Sequence, residues 1–213
     1  MIAVVDYHKG NLKSVERGLA GVGADARITD DVDEIARAEA IVLPGVGAFT
    51  DAADSMRALG QMELLCERVR AGVPVLGICL GLHLVFEAGE EHAVNGLTPG
   101  MGLIPGVVRA LPKVDAAGTT YKIPHVGWNN VEYVPGFEDC PLFEDIPSGE
   151  FFYFTHSYAA PESATTIATT EHSIVFPCAV QVAERAFAVQ FHPEKSSDAG
   201  AKLLANFVKL AKR

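Results

Sequence analysis

At 213 residues, 49% of them hydrophobic, the chain is long enough to bury the core of one domain and short for two, so a single domain over residues 1–213 is expected. The net charge of -10, with 17 Lys and Arg residues scattered along the sequence, argues against nucleic acid or an anionic membrane as the main partner. The opening MIAVVDYHKG lacks a basic segment leading into an apolar stretch and a cleavage site, and the longest nearly apolar run, residues 73–86, is too short to span a bilayer. A cytoplasmic protein is expected.

In chain order, Ile2 to Val5 is a short apolar run, and Asn11 to Val22 follows with Leu12, Val15, Leu19 and Val22 at helical spacing. The pair repeats: Ala24–Ile28 then Asp31–Ala38; Ala40–Leu43 then helix through Leu59 and again over Met62–Arg70; Val73–Ile78 then Leu80–Glu87. Apolar strands alternating with helices predict an α/β fold, an open, mixed and mostly parallel sheet with helices on both faces. Beyond Gly102 the runs are β-type: Leu103–Leu111, Asn130–Val134, Phe151–Ala159, Thr165–Thr170, Ile174–Val182 and Ala186–Phe191. A last helix, capped by Ser197 or Asp198, presents Leu203, Leu204, Phe207, Val208 and Leu210 on one face.

Cys66, Cys79, Cys140 and Cys178 have no CxxC pairing and no nearby His at zinc spacing, so neither a metal site nor a disulfide framework is expected. Only local sequence can single out a reactive one. Gly77-Ile78-Cys79-Leu80-Gly81 joins a buried strand to the start of a helix, the form of a nucleophile elbow. The pentapeptide alone leaves two readings open, a nucleophile or a core cysteine between packing glycines. His192-Pro193-Glu194 supplies the general base and orienting carboxylate that a cysteine nucleophile needs. Pro193 disfavours the helical region for His192, and in an extended segment residues two apart share a side. Pro44-Gly45-Val46-Gly47 follows another strand and would lie beside Cys79 at the carboxyl edge of the sheet. Its glycines allow backbone N–H groups to face an oxyanion, with the Leu80 N–H as second donor.

PGVGAF (44–49), GICLGLHL (77–84), HVGWN (125–129), THSY (155–158) and QFHPEKS (190–196) resemble, in order and spacing, the class I glutamine amidotransferases. The resemblance implies a glutaminase without cofactor or metal. In it Cys79 attacks the side-chain amide of L-glutamine, His192 shuttles protons, Glu194 orients His192, and Gly45, Val46 and Gly47 with Leu80 form the oxyanion hole. His83 stands where the family usually has a Gln that holds substrate; it and Glu91 are carried over as glutamine-binding residues, with Ser157 and Tyr158, although Tyr153, Ser157 and Tyr158 could equally pack within a strand. DYHKGNLKSV (6–15) and HVGWN are similar to the branch of the family that serves histidine biosynthesis. That branch implies a (β/α)8-barrel cyclase as partner, supplied with ammonia through an internal channel, and interface roles for Asn11, Trp128 and Lys195. His8, His92 and His172 read as surface or loop histidines. Service to another ammonia-using synthase, or a non-catalytic subunit on the same fold, stays open at this level.

Overall fold

The computed structural model describes residues 1–10 and 12–212; the interface expectation for Asn11 lies outside the described residues. In chain order the elements are β1 (Ile2–Val5), α1 (Leu12–Gly21), β2 (Ala26–Thr29), α2 (Val32–Arg37), β3 (Ala40–Leu43), α3 (Phe49–Ala58), α4 (Gln61–Arg70), β4 (Val75–Ile78), α5 (Leu80–Leu84), β5 (Phe86–Gly89), β6 (Thr98–Pro99) and β7 (Ile104–Ala110). Then follow β8 (His125–Tyr133), β9 (Glu150–His156), β10 (Tyr158–Ala159), β11 (Thr166–Glu171), β12 (Val175–Ala183), β13 (Ala186–Val189) and α6 (Ser197–Ala211). A nine-stranded sheet runs in the order β2-β1-β3-β4-β13-β12-β11-β8-β9, and a four-stranded sheet in the order β10-β7-β5-β6. From β2 to β13 the large sheet is parallel; from β13 to β9 it is antiparallel.

Strict alternation along the inner parallel strands β1, β3, β4 and β13 explains why they lack charged residues, whereas the edge strand β2 exposes Arg27. Ile2 and Val4, Ala40 and Val42, Leu76 and Ile78, and Phe187 and Val189 join Val15 and Leu19 of α1 and Leu203, Leu204 and Phe207 of α6 in one core. Their neighbours Ala3 and Val5, Ile41 and Leu43, Val75, and Ala186 and Ala188 pack on the opposite face with Phe49, Met56, Leu65 and Val69 of α3 and α4. Successive side chains of a strand point to opposite faces, so a sheet covered twice needs apolar residues at both.

Three boundaries differ from the sequence expectation. The helix after Cys79 ends at Leu84, and Phe86 begins β5, because that segment pairs with β6 and β7. HVGWN lies inside β8, paired from His125 to Val131 with β9; Gly127, at φ 141, hides the strand from propensity. The α6 cap position is Ser196, and its hydroxyl donates to the His192 carbonyl in place of capping the helix. Among the described residues no helix is long and apolar enough to cross a membrane.

Candidate active site

β4 and β13 are adjacent and parallel, so the turns that leave their carboxyl ends meet. Cys79 occupies the first of these turns with φ 54 and ψ -101, a conformation that L side chains rarely adopt and a strained backbone sustains. The flanking glycines are steric necessities: a Cβ on Gly81 would lie 2.1 Å from the Leu43 carbonyl oxygen, and one on Gly77 would lie 2.9 Å from Ala188 Cβ and from the Gly81 backbone. The Cys79 N–H donates to the Val189 carbonyl at 2.7 Å, tying the elbow to β13. Cys66, Cys140 and Cys178 are free and buried, as small core residues.

Beyond β13, His192 is extended (φ -103, ψ 94), but Pro193–Lys195 forms a 3-10 turn and not the extended tripeptide expected. Glu194 nevertheless reaches His192, because the tight turn brings its carboxylate back under the ring. Nδ1 and Oε1 are 2.8 Å apart, with both side chains 3% exposed. The His192 backbone is held on both sides, its N–H donating to Tyr153 O at 2.9 Å and its carbonyl accepting from Ser196 Oγ at 2.6 Å. Nε2 is buried with no hydrogen-bond partner among the described residues. Burial disfavours the charged ring, yet Cys79 and Glu194 together push its pKa up to about 9.

The loop Pro44 to Gly47 stands beside the elbow. Tyr7, fully buried, donates its hydroxyl to the Pro44 carbonyl at 2.8 Å, and burial raises its pKa far above the ordinary phenol range. Gly45 carries its carbonyl toward Leu80, whose N–H donates to it at 3.4 Å. The Leu80 donor expected in an oxyanion hole is therefore engaged by the loop itself. Gly47, at φ 110 with open space around it, is the point at which this loop has conformational freedom.

A cleft of about 360 Å³ opens over these groups, lined by Val46, Gly47, Cys79, Leu80, His83, Glu91, Ser157 and Tyr158 among others. Four residues expected to bind glutamine thus share one wall system with Cys79. Glu91 accepts from the Phe49 N–H at 3.0 Å, and burial holds its carboxyl above the usual range. His83 lines the cleft, but its Nε2 is committed to Gln190 Oε1 at 2.7 Å, and Gln190 Nε2 lies 3.7 Å from Cys79 Sγ. Tyr153 is elsewhere, on the outer face of β9 against Trp128. Tyr7 and Gln190 fall within the DYHKGNLKSV and QFHPEKS segments, but nothing in their residue type or spacing gives either of them a role. Their signal is position: each directly follows, or nearly follows, a strand whose carboxyl edge builds the site.

Trp128 is 50% exposed and not a core aromatic; Val126 and Phe151 beside it are 55% and 53% exposed. Lys195 is exposed, its Nζ 6.0 Å from the Tyr153 ring centroid. His172 is not an isolated surface residue: it stacks on His125 at 4.3 Å and its Nε2 donates to the Lys122 carbonyl. His125 Nδ1 in turn meets His156 Nε2 at 3.0 Å, and His156 Nδ1 donates to the Tyr158 carbonyl at 2.8 Å, a chain that sequence spacing does not reveal. His8 bonds Asp30 at the surface, and His92 lies at the cleft rim near Asp51. Among the described residues no group of three or more His, Cys, Asp or Glu could hold a metal ion.

A family model described as Glutamine amidotransferase class-I matches residues 3–211. Imidazole glycerol phosphate synthase subunit HisH of Chloroflexus aurantiacus is 46% identical over 211 residues, covering 98% of this chain and 95% of the relative. The subunit of the same name from Syntrophotalea carbinolica is 43% identical, covering 97% and 98%. Among solved structures, a glutamine amidotransferase aligns with a TM-score of 0.73 at 18% identity over 100% of both chains. The glutaminase domain of Trypanosoma brucei CTPS with bound acivicin aligns with a TM-score of 0.67 at 17% identity, covering 99% of this chain and 93% of that one. The two structures speak to the fold alone; the family model and the sequence relatives span nearly the whole chain, and with them the strained cysteine and the His–Glu pair find their setting: the chain belongs to the class-I glutamine amidotransferase family.

Proposed function

We propose that this chain, acting as one domain, is the glutaminase subunit of an imidazole glycerol phosphate synthase. The observation that carries the reading is the buried His192–Glu194 pair at the end of β13, next to the strand β4 that ends in the strained Cys79 turn. The Cys79 thiol gives its proton to His192 as the sulfur attacks the side-chain carboxamide carbon of glutamine, and the carbonyl electrons move to oxygen. Collapse of that intermediate expels the amide nitrogen, protonated from His192, as ammonia and leaves a γ-glutamyl thioester. Water, giving its proton to His192, then hydrolyses the thioester to glutamate and returns the thiol. Glu194 fixes which ring nitrogen faces Cys79. Glu91, Ser157 and Tyr158 hold the amino-acid end. For the oxyanion to be stabilised, the Leu80 N–H must leave the Gly45 carbonyl, and a rotation of the Gly45 to Gly47 backbone accomplishes this.

The exposed Trp128, Val126 and Phe151 with Lys195 are the surface on which a (β/α)8-barrel cyclase docks, and Asn11 is assigned to the same contact. Support comes from connectivity: β9 presents Tyr153 to that surface and bonds the His192 N–H from the same residue. The relatives are named as subunits, which supports an assembly of this kind. The test measures glutamate release by the purified chain, alone and with the barrel cyclase and an analogue of its ribulosyl substrate. Activity that needs Cys79 and rises in the complex is expected; equal release by Cys79→Ala and the wild type would overturn the chemistry, and indifference to the cyclase would overturn the pathway.

A further inference from the structure

Gln190 directly follows β13, is fully buried, and has no task in the triad chemistry. A buried amide is tolerated when its polar atoms are paired. Here Oε1 accepts from His83 Nε2 at 2.7 Å and Nε2 donates to Cys79 Sγ at 3.7 Å. His83 stands one helical turn after Cys79 on α5 and is 4% exposed. Imidazole, amide and thiol therefore form a linear chain of contacts behind the cleft. With Oε1 on the ring side, the imidazole N–H faces it and the amide N–H is left for the sulfur. Burial holds His83 down at about 4, against the pull of its hydrogen bonds to Gln190 and to the Tyr158 backbone, and keeps the ring neutral. An N–H aimed at sulfur stabilises a thiolate more than a thiol, since the bond becomes charge-assisted.

We propose that Gln190 is a positioning residue for the nucleophile, holding the Cys79 sulfur in its reactive form, and that His83 acts through Gln190 instead of on the substrate. The inference rests on Cys79 being the nucleophile. The experiment follows alkylation of Cys79 by iodoacetamide, by mass, across the neutral and alkaline range for the full chain, with Gln190→Glu, Gln190→Met and His83→Leu as variants. Expected is a loss of about tenfold in the neutral-pH rate for Gln190→Glu, a smaller loss for the other two, and a profile moved to higher pH in all three. His83→Leu leaves Cys79 and Gln190 in place and reads the same quantity should Gln190→Glu not fold. In steady-state hydrolysis by the cyclase complex, His83→Leu is expected to lower kcat with little change in KM for glutamine. Folded variants that alkylate with the wild-type rate and pH profile would overturn the proposal, as would a rise in KM alone for His83→Leu. The comparison needs no glutamine, so a failure of the glutaminase reading, seen as a wild type that neither hydrolyses glutamine nor depends on Cys79, is separately visible.

Discussion

The hydroxyl of Tyr7 occupies the space that a side chain on Gly45 would need: a Cβ built there lies 2.1 Å from the phenol oxygen and 2.8 Å from Leu80 Cβ. The glycine is therefore required by packing before any question of catalysis arises. Gly45→Ala is expected to destabilise by about 2 kcal/mol, as overpacking of a filled site does. Tyr7→Phe removes the clashing oxygen but not Leu80, so the double variant should recover part of that loss and not all of it. Urea unfolding of the two single variants and the double variant checks this; additive losses would show that the two residues do not compete for one space.

The elbow should show a trade between stability and function. Cys79 sits at φ 54, where glycine is unstrained and alanine is not. Both Cys79→Gly and Cys79→Ala should lose glutamine hydrolysis by roughly a thousandfold or more, while ammonia-dependent synthesis by the complex continues. Cys79→Gly should nevertheless be about 1 kcal/mol more stable than Cys79→Ala, a rise of about 2–4 °C in Tm for a chain of this size. Thermal unfolding of the pair decides it.

His192 makes stability fall on the alkaline side. Its folded pKa of about 9 lies above the value near 6.5 of an unfolded histidine. The contribution is fully present below about pH 6.5 and is lost as pH rises through about 9, with a ceiling on the order of 3 kcal/mol. The stability gap between wild type and His192→Gln should shrink across that window in urea titrations; a constant gap would show that the ring is neutral in the folded chain.

On the acid side the sign reverses. Burial holds His83 and His125 down at about 4 and His156 well below its ordinary value. Groups whose folded pKa is depressed stabilise above the unfolded value and lose that contribution as pH falls through it toward 4. With up to three protons taken up on unfolding, stability should drop by on the order of 4 kcal/mol per pH unit between about pH 6 and 5. His83→Gln should flatten the slope by about one third, read from urea midpoints against pH.

The parallel half of the fold was legible because its inner strands β1, β3, β4 and β13 are covered on both faces and read as apolar runs. That Cys79 and the His192–Glu194 pair sit at the ends of neighbouring strands was legible for a different reason: Pro193 and the paired glycines constrain the backbone wherever the rest of the chain goes. His192 and Glu194 were rightly paired by spacing, but by the wrong route, since the 3-10 turn at Pro193–Lys195 depends on Ser196 bridging His192 O and Tyr153 N. The strand character of HVGWN and the short α5 were not legible, because their partners β9, β6 and β7 come from distant sequence and override local propensity. His83 shows the limit most clearly. Its place in the GICLGLHL segment is visible, but only the fold shows that its hydrogen bond is spent on Gln190.

Cys79 and Gln190 touch across 111 residues of chain, and His192 comes later still, on the far side of β13. A ribosome making this protein completes the elbow when well under half of the sequence has been read, yet the strand that completes its surroundings is among the last to emerge. During synthesis Cys79 is thus made long before Gln190 and His192, so the contacts around its sulfur form only once nearly the whole chain has been read.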